Sequence, residues 1–249
     1  GILNRASEAK EKTEIAQKDE KNELNNYEDI INDYITGNKV EKVSDAAPGK
    51  LEIGENDNVF IINSIEDLVF FSYDVTEGNT YEGKTVKLGL SLDFNSNKSY
   101  VDAHRKDYDR YGYSGELKNL LTNDLGFNPI GTMSNINIDG YSFAGTFDGN
   151  GNSIFNLYIN KSKNKNEEMR VGFFANSKGT IKNLNIINGN VKLNMTGKTG
   201  DVGGIASKNF GVIENCMYVG DVGIYAKDEV TGLIRIGGIV SGNADTMKN

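Results

Sequence analysis

The chain has 249 residues, of which 37% are apolar and 25% are charged, and its formal net charge is −8. The apolar share is sufficient for a core, and 29 Gly against 2 Pro indicates many turns without a disordered composition. A negative charge of this size argues against nucleic acid as a partner, since its binders carry clustered Lys and Arg. No apolar run reaches the roughly 18 residues typical of a membrane-spanning helix.

Residues 1–36 have the composition of a helix. Pro is absent, the only Gly is Gly1, and Ala, Glu, Lys, Leu and Gln dominate. Small or apolar residues recur at steps of three and four along one face: Ala6, Ala9, Thr13, Ala16, Leu24, Tyr27, Ile31 and Tyr34. We predict a long amphipathic helix over 1–36 that leans on a partner, and a linker over 37–57 that separates it from the body.

The segment GILNRASEAKEKTEIAQKDE, Gly1 to Glu20, resembles the part that follows the transmembrane segment in prepilin-like proteins of Gram-positive bacteria. In type IV pilins and pseudopilins, this continuation of the N-terminal helix carries the globular head. The resemblance implies an exported protein whose membrane segment precedes residue 1, with other pilin-like subunits as partners through residues 1–36. The alternative is an ordinary charged helix that links or caps.

From about Phe143 the chain repeats itself. A motif of Gly, then Ile, and Asn two residues after the Ile occurs as GNSIFNLYI (151–159), GTIKNLNI (179–186) and GVIENCMYV (211–219). A companion phrase begins at Val171, Val202 and Ile236, at spacings of 31 and 34 residues. Such periods indicate a solenoid in which each repeat buries its apolar face by stacking on the next. The last phrase, at Ile236, shows no partner strand after it.

The segment before the repeats predicts a cap and a strand. Val59 and Ile61 indicate a short strand, and a helix follows with Ser64 as N-cap and Asp67 as its capping partner. A helix at this position would cover the open end of a stacked sheet. One half-buried strand is predicted from an apolar alternation of period two: Val86, Leu88, Leu90, Leu92 and Phe94.

A second resemblance covers Phe60 to Val240. The chain is similar to bacterial surface proteins with GLUG-type repeats through EDLVFFSYDVTEGNTYEGKTVKLGLSLDF, FNPIG, FAGTFDGNGNSIFNLYI and VGFF...GTIKNLNI. The resemblance implies a mainly β fold, a right-handed parallel β-helix over 58–249 with an insertion at 95–126, preceded by the N-terminal helix. It also implies an extracellular location on a bacterial cell surface, often with a role in adhesion. It transfers no catalytic residue, because the motif is structural.

Asn156, Asn183 and Asn215 occupy one position of the motif. Asn tolerates the left-handed backbone region and mimics a turn, so we expect these residues to stack as a ladder at a corner. Cys216 takes the slot that Leu157 and Leu184 hold in the other copies. We interpret it as a small buried hydrophobe, with a reactive thiol as the alternative. A lone cysteine excludes an internal disulfide.

The insertion is the least repetitive part of the body. Long insertions on a rigid scaffold often carry binding sites, and exposed tyrosines suit sugar rings or protein surfaces. The alternative is that these side chains cover the side of the solenoid. We predict that five residues of the insertion bind a host or matrix glycan or protein: Tyr100, His104, Tyr108, Tyr111 and Tyr113.

Signals for catalysis and for metals are weak. Asp102 lies near His104, but no nucleophile motif accompanies the pair. The stretch 93–97 imitates the opening of a calcium loop, yet Lys98 stands where Gly is needed. Residues 148–152, DGNGN, more simply predict a tight turn. We predict no enzyme, no metal site and no cofactor.

The combined prediction is a cell-surface adhesin or pilin-like protein whose β-helix head binds host or matrix glycans or proteins. The alternative is a structural, minor subunit of a type IV pilus-like filament that has no ligand of its own. We expect no nucleic-acid partner, and membrane contact only through a segment outside this sequence.

Overall fold

A computed structural model describes residues 2–36, 50–94, 126–133, 141–163, 168–195, 199–226, 232–244 and 246–248. The chain forms two compact units, Gly1–Val40 and Glu41–Asn249. The first unit contains a long helix, and the second consists mainly of strands in largely parallel sheets. The prediction of a mainly β chain with an N-terminal helix is confirmed.

Helix α1, Ile2–Thr36, extends over 35 residues, as its composition predicts. Lys10 and Glu14 form an i,i+4 ion pair at 3.7 Å on its surface. Ile15 and Leu24 are 54% and 56% exposed. The helix therefore presents apolar side chains that its own unit does not bury. In the part of the chain that the structure describes, no helix is long and apolar enough to cross a membrane.

The second unit begins with β1 (Glu52–Ile53), β2 (Val59–Ile62) and α2 (Ile65–Thr76). β1 pairs antiparallel with β2. The Ser64 hydroxyl accepts a hydrogen bond of 3.0 Å from the Asp67 amide, and the Asp67 carboxylate accepts one of 2.9 Å from the Asn63 amide. These two bonds satisfy the backbone amide of Asp67, in the first turn of α2, and that of Asn63, just before the N-cap residue. The predicted cap is confirmed.

Sixteen further strands follow in chain order within the described residues. They are β3 (Thr85–Leu88), β4 (Leu92–Asp93), β5 (Thr146–Asp148), β6 (Ser153–Phe155), β7 (Tyr158–Lys163), β8 (Met169–Val171), β9 (Phe174–Ser177), β10 (Thr180–Lys182), β11 (Asn185–Met195), β12 (Gly200–Gly203), β13 (Ala206–Asn209), β14 (Val212–Glu214), β15 (Met217–Ala226), β16 (Ile234–Gly237), β17 (Val240–Asn243) and β18 (Thr246–Lys248).

Strands from successive repeats pair in parallel and in register. The first sheet has the order β1-β2-β3-β5-β10-β14-β18, and the second has β15-β11-β6-β4 with β7 also on β11. The third is β16-β12-β8 and the fourth β17-β13-β9. Val171, Val202 and Ile236 stand opposite one another in the third sheet. The companion phrase therefore marks equivalent positions, as predicted.

Three details of the predicted repeat are wrong. β10 pairs with β5, and β6 pairs with the start of β11, so Asn156 corresponds to Asn188 and not to Asn183. Leu157 consequently does not share the slot of Cys216, which follows the Asn215 that stacks on Asn183. The Ile236 phrase does have a partner strand after it, because β18 pairs in parallel with β14.

The single strand predicted over Val86 to Phe94 is two strands, β3 and β4, that belong to different sheets. The chain bends at Gly89, where a Cβ would lie 1.9 Å from the Asn63 Oδ1. A side chain at residue 89 would require the Asn63 and Ile61 side chains to move, so glycine allows the close approach at this corner. Val86, Leu88 and Leu92 are buried on both sides of it. The period-two pattern was therefore correct for burial and wrong for continuity.

An aromatic cluster joins α2 to the repeats. Phe71 of α2 packs edge-on against Phe143, with ring centroids 5.6 Å apart, and lies 5.8 Å from Phe147. Phe174 contacts both of these rings at 5.4 Å. All four side chains are fully buried. Edge-to-face contacts of this kind add to the stability from burial alone, so α2 is anchored to the first repeats.

Asparagines form ladders at two corners. At one corner the Asn215 amide donates to Asn183 Oδ1 at 2.7 Å, and the Asn183 amide donates to Asp148 at 2.9 Å. At the other corner Asn188 donates to Asn156, which donates to Asp93. The four asparagines have left-handed φ angles between 48° and 57°. The predicted stacking is confirmed for Asn183 and Asn215 and is wrong for Asn156, which stacks with Asn188 at the other corner.

Substitution of Asn183 tests what the ladder contributes. Asn183→Ala loses the hydrogen bonds to both neighbours and keeps the Cβ at the left-handed φ of 52°, whereas Asn183→Gly loses the same bonds and also removes the Cβ that strains this conformation. We expect both variants to be destabilised, and the Ala variant by about 1 kcal/mol more than the Gly variant. Urea unfolding measures the difference. Equal losses would show that backbone conformation is not the constraint at this corner.

Candidate functional site

The five binding residues predicted from the sequence lie outside the described residues: Tyr100, His104, Tyr108, Tyr111 and Tyr113. The described chain stops at Phe94 and resumes at Gly126. The Phe94 and Phe127 rings contact each other edge-on, with centroids 5.7 Å apart. The two ends of the insertion therefore meet on the body of the second unit.

An open groove of about 440 Å³ crosses the strand starts of the first sheet. It is lined by residues 83–85, 144–146, 178–180 and 211–212, which are contributed by four successive strands of that sheet and the residues before them. Because these segments are far apart in sequence, only the stacking of the repeats brings them together. No local pattern in the sequence signals this groove.

A row of threonines forms one side of the groove. Thr85, Thr146 and Thr180 stand opposite one another, and Val212 continues the row. All four side chains are partly exposed, while the next residue along each strand is buried. Neighbouring strands lie about 4.8 Å apart, so the hydroxyls recur at that interval across the sheet. The row is a polar surface with a regular spacing.

Stacked glycines form the floor of the groove. A Cβ on Gly179 would lie 1.9 Å from the Gly145 carbonyl oxygen, and a Cβ on Gly211 would lie 2.1 Å from the Gly179 carbonyl oxygen. Each glycine therefore packs on the backbone of the preceding repeat, where no side chain fits. Gly145, Gly179 and Gly211 thus let the backbones of successive repeats pack closely beneath the groove and add no side chain to its lining.

Two lysines give the groove positive charge. Lys84 and Lys178 line it, and no acidic residue stands among the described residues of the lining. The Lys84 Nζ lies 5.6 Å from the ring centroid of Phe60 and 5.8 Å from that of Tyr81. These rings attract the ammonium group and restrict where it points. The groove is thus a local cationic surface on a chain of net charge −8.

A second charged cluster surrounds Asp201 on the third sheet. Arg170, Asp201 and Arg235 are in register on β8, β12 and β16. Arg235 donates two hydrogen bonds to the fully buried Asp201 carboxylate, one of 2.9 Å to Oδ2, and Lys208 Nζ lies 3.6 Å from the same oxygen. The Asp201 hydrogen bonds raise the pKa of Arg235, whereas burial lowers the pKa of Lys208. The cluster ties three repeats together.

Arg170 makes the other contacts of this cluster. Its Nη1 donates to Asn176 Oδ1 at 2.8 Å, and its Nη2 lies 3.9 Å from Glu168 Oε2. Its Nε has no hydrogen-bond partner within the described residues. Burial lowers the pKa of Arg170. This cluster was not predicted from the sequence, although Arg, Asp and Arg directly precede the three aligned residues of the companion phrase and were a usable signal.

Cys216 is partly buried and packs against the core. Its thiol donates to the Glu214 carbonyl oxygen at 3.2 Å. Burial raises the pKa of the thiol to about 11. A thiolate is the nucleophilic form of cysteine, so this environment favours the interpretation as a hydrophobe over that as a reactive thiol.

The calcium-loop and turn candidates occupy different parts of the chain. The backbone amide of Asn150 donates a hydrogen bond of 2.8 Å to Asp148 Oδ1, and Asn150 has a φ of 54°. These features form the tight turn predicted over 148–152. Asn95, Asn97 and Asp102 lie outside the described residues. Within the described ranges, no group of three or more His, Cys, Asp or Glu side chains is arranged to hold a metal ion.

Lys161 on β7 is a buried lysine that sequence analysis did not single out. The residue is 2% exposed and alternates with the buried Ile159. Its Nζ lies 3.5 Å from the Gly126 carbonyl oxygen. Burial lowers the pKa of this amine to about 7, because the charged form loses hydration that a single carbonyl does not replace.

Known proteins are similar to this chain over only part of its length. No protein-family model matches the chain. A stretch of 115 residues, 46% of the chain, is 36% identical to Halomucin from Haloquadratum walsbyi, of which it spans 1%. Among solved structures, the chain is similar to a candidate immunoglobulin A1 protease from Bacteroides ovatus, at 14% identity and a TM-score of 0.36. That similarity covers 79% of this chain and 75% of the other.

Removal of the Asp201 charge tests the ionic cluster. Asp201→Asn keeps the side-chain shape but leaves Arg235 and Lys208 without the buried carboxylate that they share. We expect a loss of about 3 kcal/mol in unfolding free energy, measured by urea denaturation. The control is Glu55→Gln, which removes the exposed partner of Lys87 and should leave stability unchanged. Similar small effects of both substitutions would contradict a stabilising role for the cluster.

The pKa of Lys161 predicts a pH dependence. Between about pH 7 and the ordinary value of 10.5, the unfolded chain binds more protons at this position than the folded chain. Its contribution to stability therefore rises with pH through that window. Lys161→Met removes the titration, so its stabilising effect should be larger at about pH 7 than at about pH 10, by on the order of 3 kcal/mol. Denaturant unfolding at both pH values measures this, and a pH-independent difference would refute it.

Proposed function

We propose that the chain is an extracellular, cell-surface protein of the adhesin or pilin-like class, whose β-rich unit binds a host or matrix glycan or protein. The groove over the first sheet carries this proposal, because it is an open, polar and concave surface on a scaffold of paired strands. The partial similarity to Halomucin, a protein named as a mucin, supports the extracellular location.

We propose that the β-rich unit is a right-handed parallel β-helix, as the resemblance to GLUG-repeat proteins implies. In-register parallel pairing between strands about 31 to 34 residues apart supports this winding. Crossovers between parallel strands of one sheet are right-handed in nearly all proteins, which supports the hand. In such a fold the side chains that point outward are available for binding.

Binding without catalysis agrees best with the chemistry of the groove. Its described lining offers ammonium groups, hydroxyls and backbone, and it includes no carboxylate, imidazole or thiol. General acid–base and nucleophilic catalysis usually draw on those missing groups. Threonine hydroxyls at regular spacing instead suit hydrogen bonding to sugar hydroxyls or to peptide groups. We assign no cofactor to the site.

The alternative is a structural subunit of a pilus-like filament, and helix α1 favours it. Ile15 and Leu24 are exposed on a helix of 35 residues, and an amphipathic helix commonly buries such side chains against a partner. Other pilin-like subunits would be that partner through residues 1–36. In this function the β-rich unit needs no ligand.

A binding screen separates the two functions. The full chain is tested on an array of mucins, host glycans and matrix proteins, beside a groove variant, Thr146→Val with Thr180→Val, and an insertion variant with Tyr108, Tyr111 and Tyr113 changed to Ala. We expect specific binding that the groove variant weakens by about tenfold, because two hydroxyls that bond the ligand are lost. Val212 in the same row shows that valine fits there.

The other outcomes of the screen also discriminate. Binding that only the tyrosine variant loses would move the site to the insertion. The absence of binding by a folded chain would contradict the adhesin proposal. Assembly measured by sedimentation, and lost when Ala9 and Ala16 are changed to Glu, would then support the filament subunit.

A further inference from the structure

The charge of the groove restricts its ligand. Lys84 and Lys178 line the groove, and the described residues of the lining include no acidic side chain. In the whole chain, by contrast, acidic residues exceed basic ones by 35 to 27. A local cationic surface attracts anionic groups even when the net charge of the protein is negative. We therefore expect a polymer that binds in this groove to present anions to it.

We propose that the groove binds a linear acidic polysaccharide that lies across the strands of the first sheet. The carboxylate or sulfate groups of the polysaccharide pair with Lys84 and Lys178. Its hydroxyls form hydrogen bonds with Thr85, Thr146 and Thr180. This inference rests on the proposed binding function and adds the chemical class of the ligand.

The direction of the polymer follows from the register of the strands. Thr85, Thr146 and Thr180 form a row perpendicular to the strands, with steps of about 4.8 Å. A step of this size is on the scale of one sugar unit, so successive units meet equivalent hydroxyls. The stacked glycines at 145, 179 and 211 keep the path free of side chains. A compact ligand would use only one or two of these steps.

The positions of the lysines indicate separated charges on the ligand. Lys84 directly precedes Thr85, and Lys178 lies two residues before Thr180. Since β3 and β10 are separated by β5, the two lysines are about two strand spacings apart across the sheet. An acidic polysaccharide carries one charge every one or two sugars, which matches this separation. Lysine is also suited to single carboxylate or sulfate oxygens, which it meets as a point charge.

Nucleic acid is the less suitable polyanion. Its binders surround the phosphate backbone with many clustered cations and often stack bases on exposed aromatic rings. The described lining of the groove supplies two lysines and no aromatic side chain. The remainder of the surface belongs to a chain with net charge −8, which repels a densely charged duplex. We therefore assign the groove to a sparsely charged acidic glycan.

The test compares polymers of similar length on the full chain by biolayer interferometry. The probes are heparin as a sulfated polymer, polygalacturonate as a carboxylated one, dextran as a neutral one, and single-stranded DNA. We expect binding of heparin or polygalacturonate, weaker at high than at low salt, and no binding of dextran. Preference for one acidic polymer over the other identifies the anion.

Variants connect binding to the groove. Lys84→Gln with Lys178→Gln should weaken binding by about tenfold or more and reduce its salt dependence, whereas Thr146→Val with Thr180→Val should weaken it without changing the salt dependence. The matched control is Lys192→Gln on β11 of the second sheet, which should bind as the unchanged chain does. Equal melting temperatures confirm that the variants are folded.

Four results would overturn the inference. These are dextran bound as tightly as the acidic polymers, DNA bound more tightly than either, no acidic polymer bound, or a lysine variant that binds as the unchanged chain does. A neutral glycan or protein bound in the array screen, with no acidic polymer bound by interferometry, overturns the ligand class and leaves the proposed function standing. Failure of both experiments overturns the two together.

Discussion

In-register parallel stacking of the repeats is the constraint on which the rest of the second unit depends. Main-chain hydrogen bonds hold each strand opposite its equivalent in the preceding repeat, so that one residue type at one position becomes a row in space. The asparagine ladders, the threonine row and the glycine floor are all consequences of this register. The Asp201 cluster arises in the same way, because residues before the companion phrase meet across three strands.

The sequence predicted those features whose residues recur. The companion phrase, the cap of α2 and the existence of asparagine ladders all followed from spacing and turn chemistry, and the structure contains them. The alignment of the first copy failed because Asn156 and Asn183 have the same chemistry at two different corners, and spacing alone does not tell the corners apart. Gly89 was overlooked for a similar reason, since apolar alternation continues on both sides of the bend that it permits.

The groove and the buried Lys161 were not predictable in the same way. Residues 83–85 belong to no recognised copy of the motif. They lie beside residues 144–146 because β3 pairs with β5, and no sequence pattern predicted that pairing between segments about 60 residues apart. Lys161 occupies an inward position that apolar residues fill in the neighbouring strand, so its burial contradicts its residue type. Both features require the three-dimensional register, which local patterns do not encode.

In the second unit, different residues hold the fold and line the groove, so the groove lining can change while the scaffold stays the same. The fold is held by buried aliphatic and aromatic side chains, by corner asparagines and by glycines that pack on backbone, and in a stacked architecture each repeat contacts only its neighbours. The threonines of the row are partly exposed, and Val212 occupies the equivalent position in the next repeat, so the fold accepts different side chains there. Groove chemistry can therefore change without a change in the scaffold, whereas a side chain at Gly179 would displace the preceding repeat. Under the proposed function, binding specificity would be set by outward residues of the groove and stability by the buried residues and glycines.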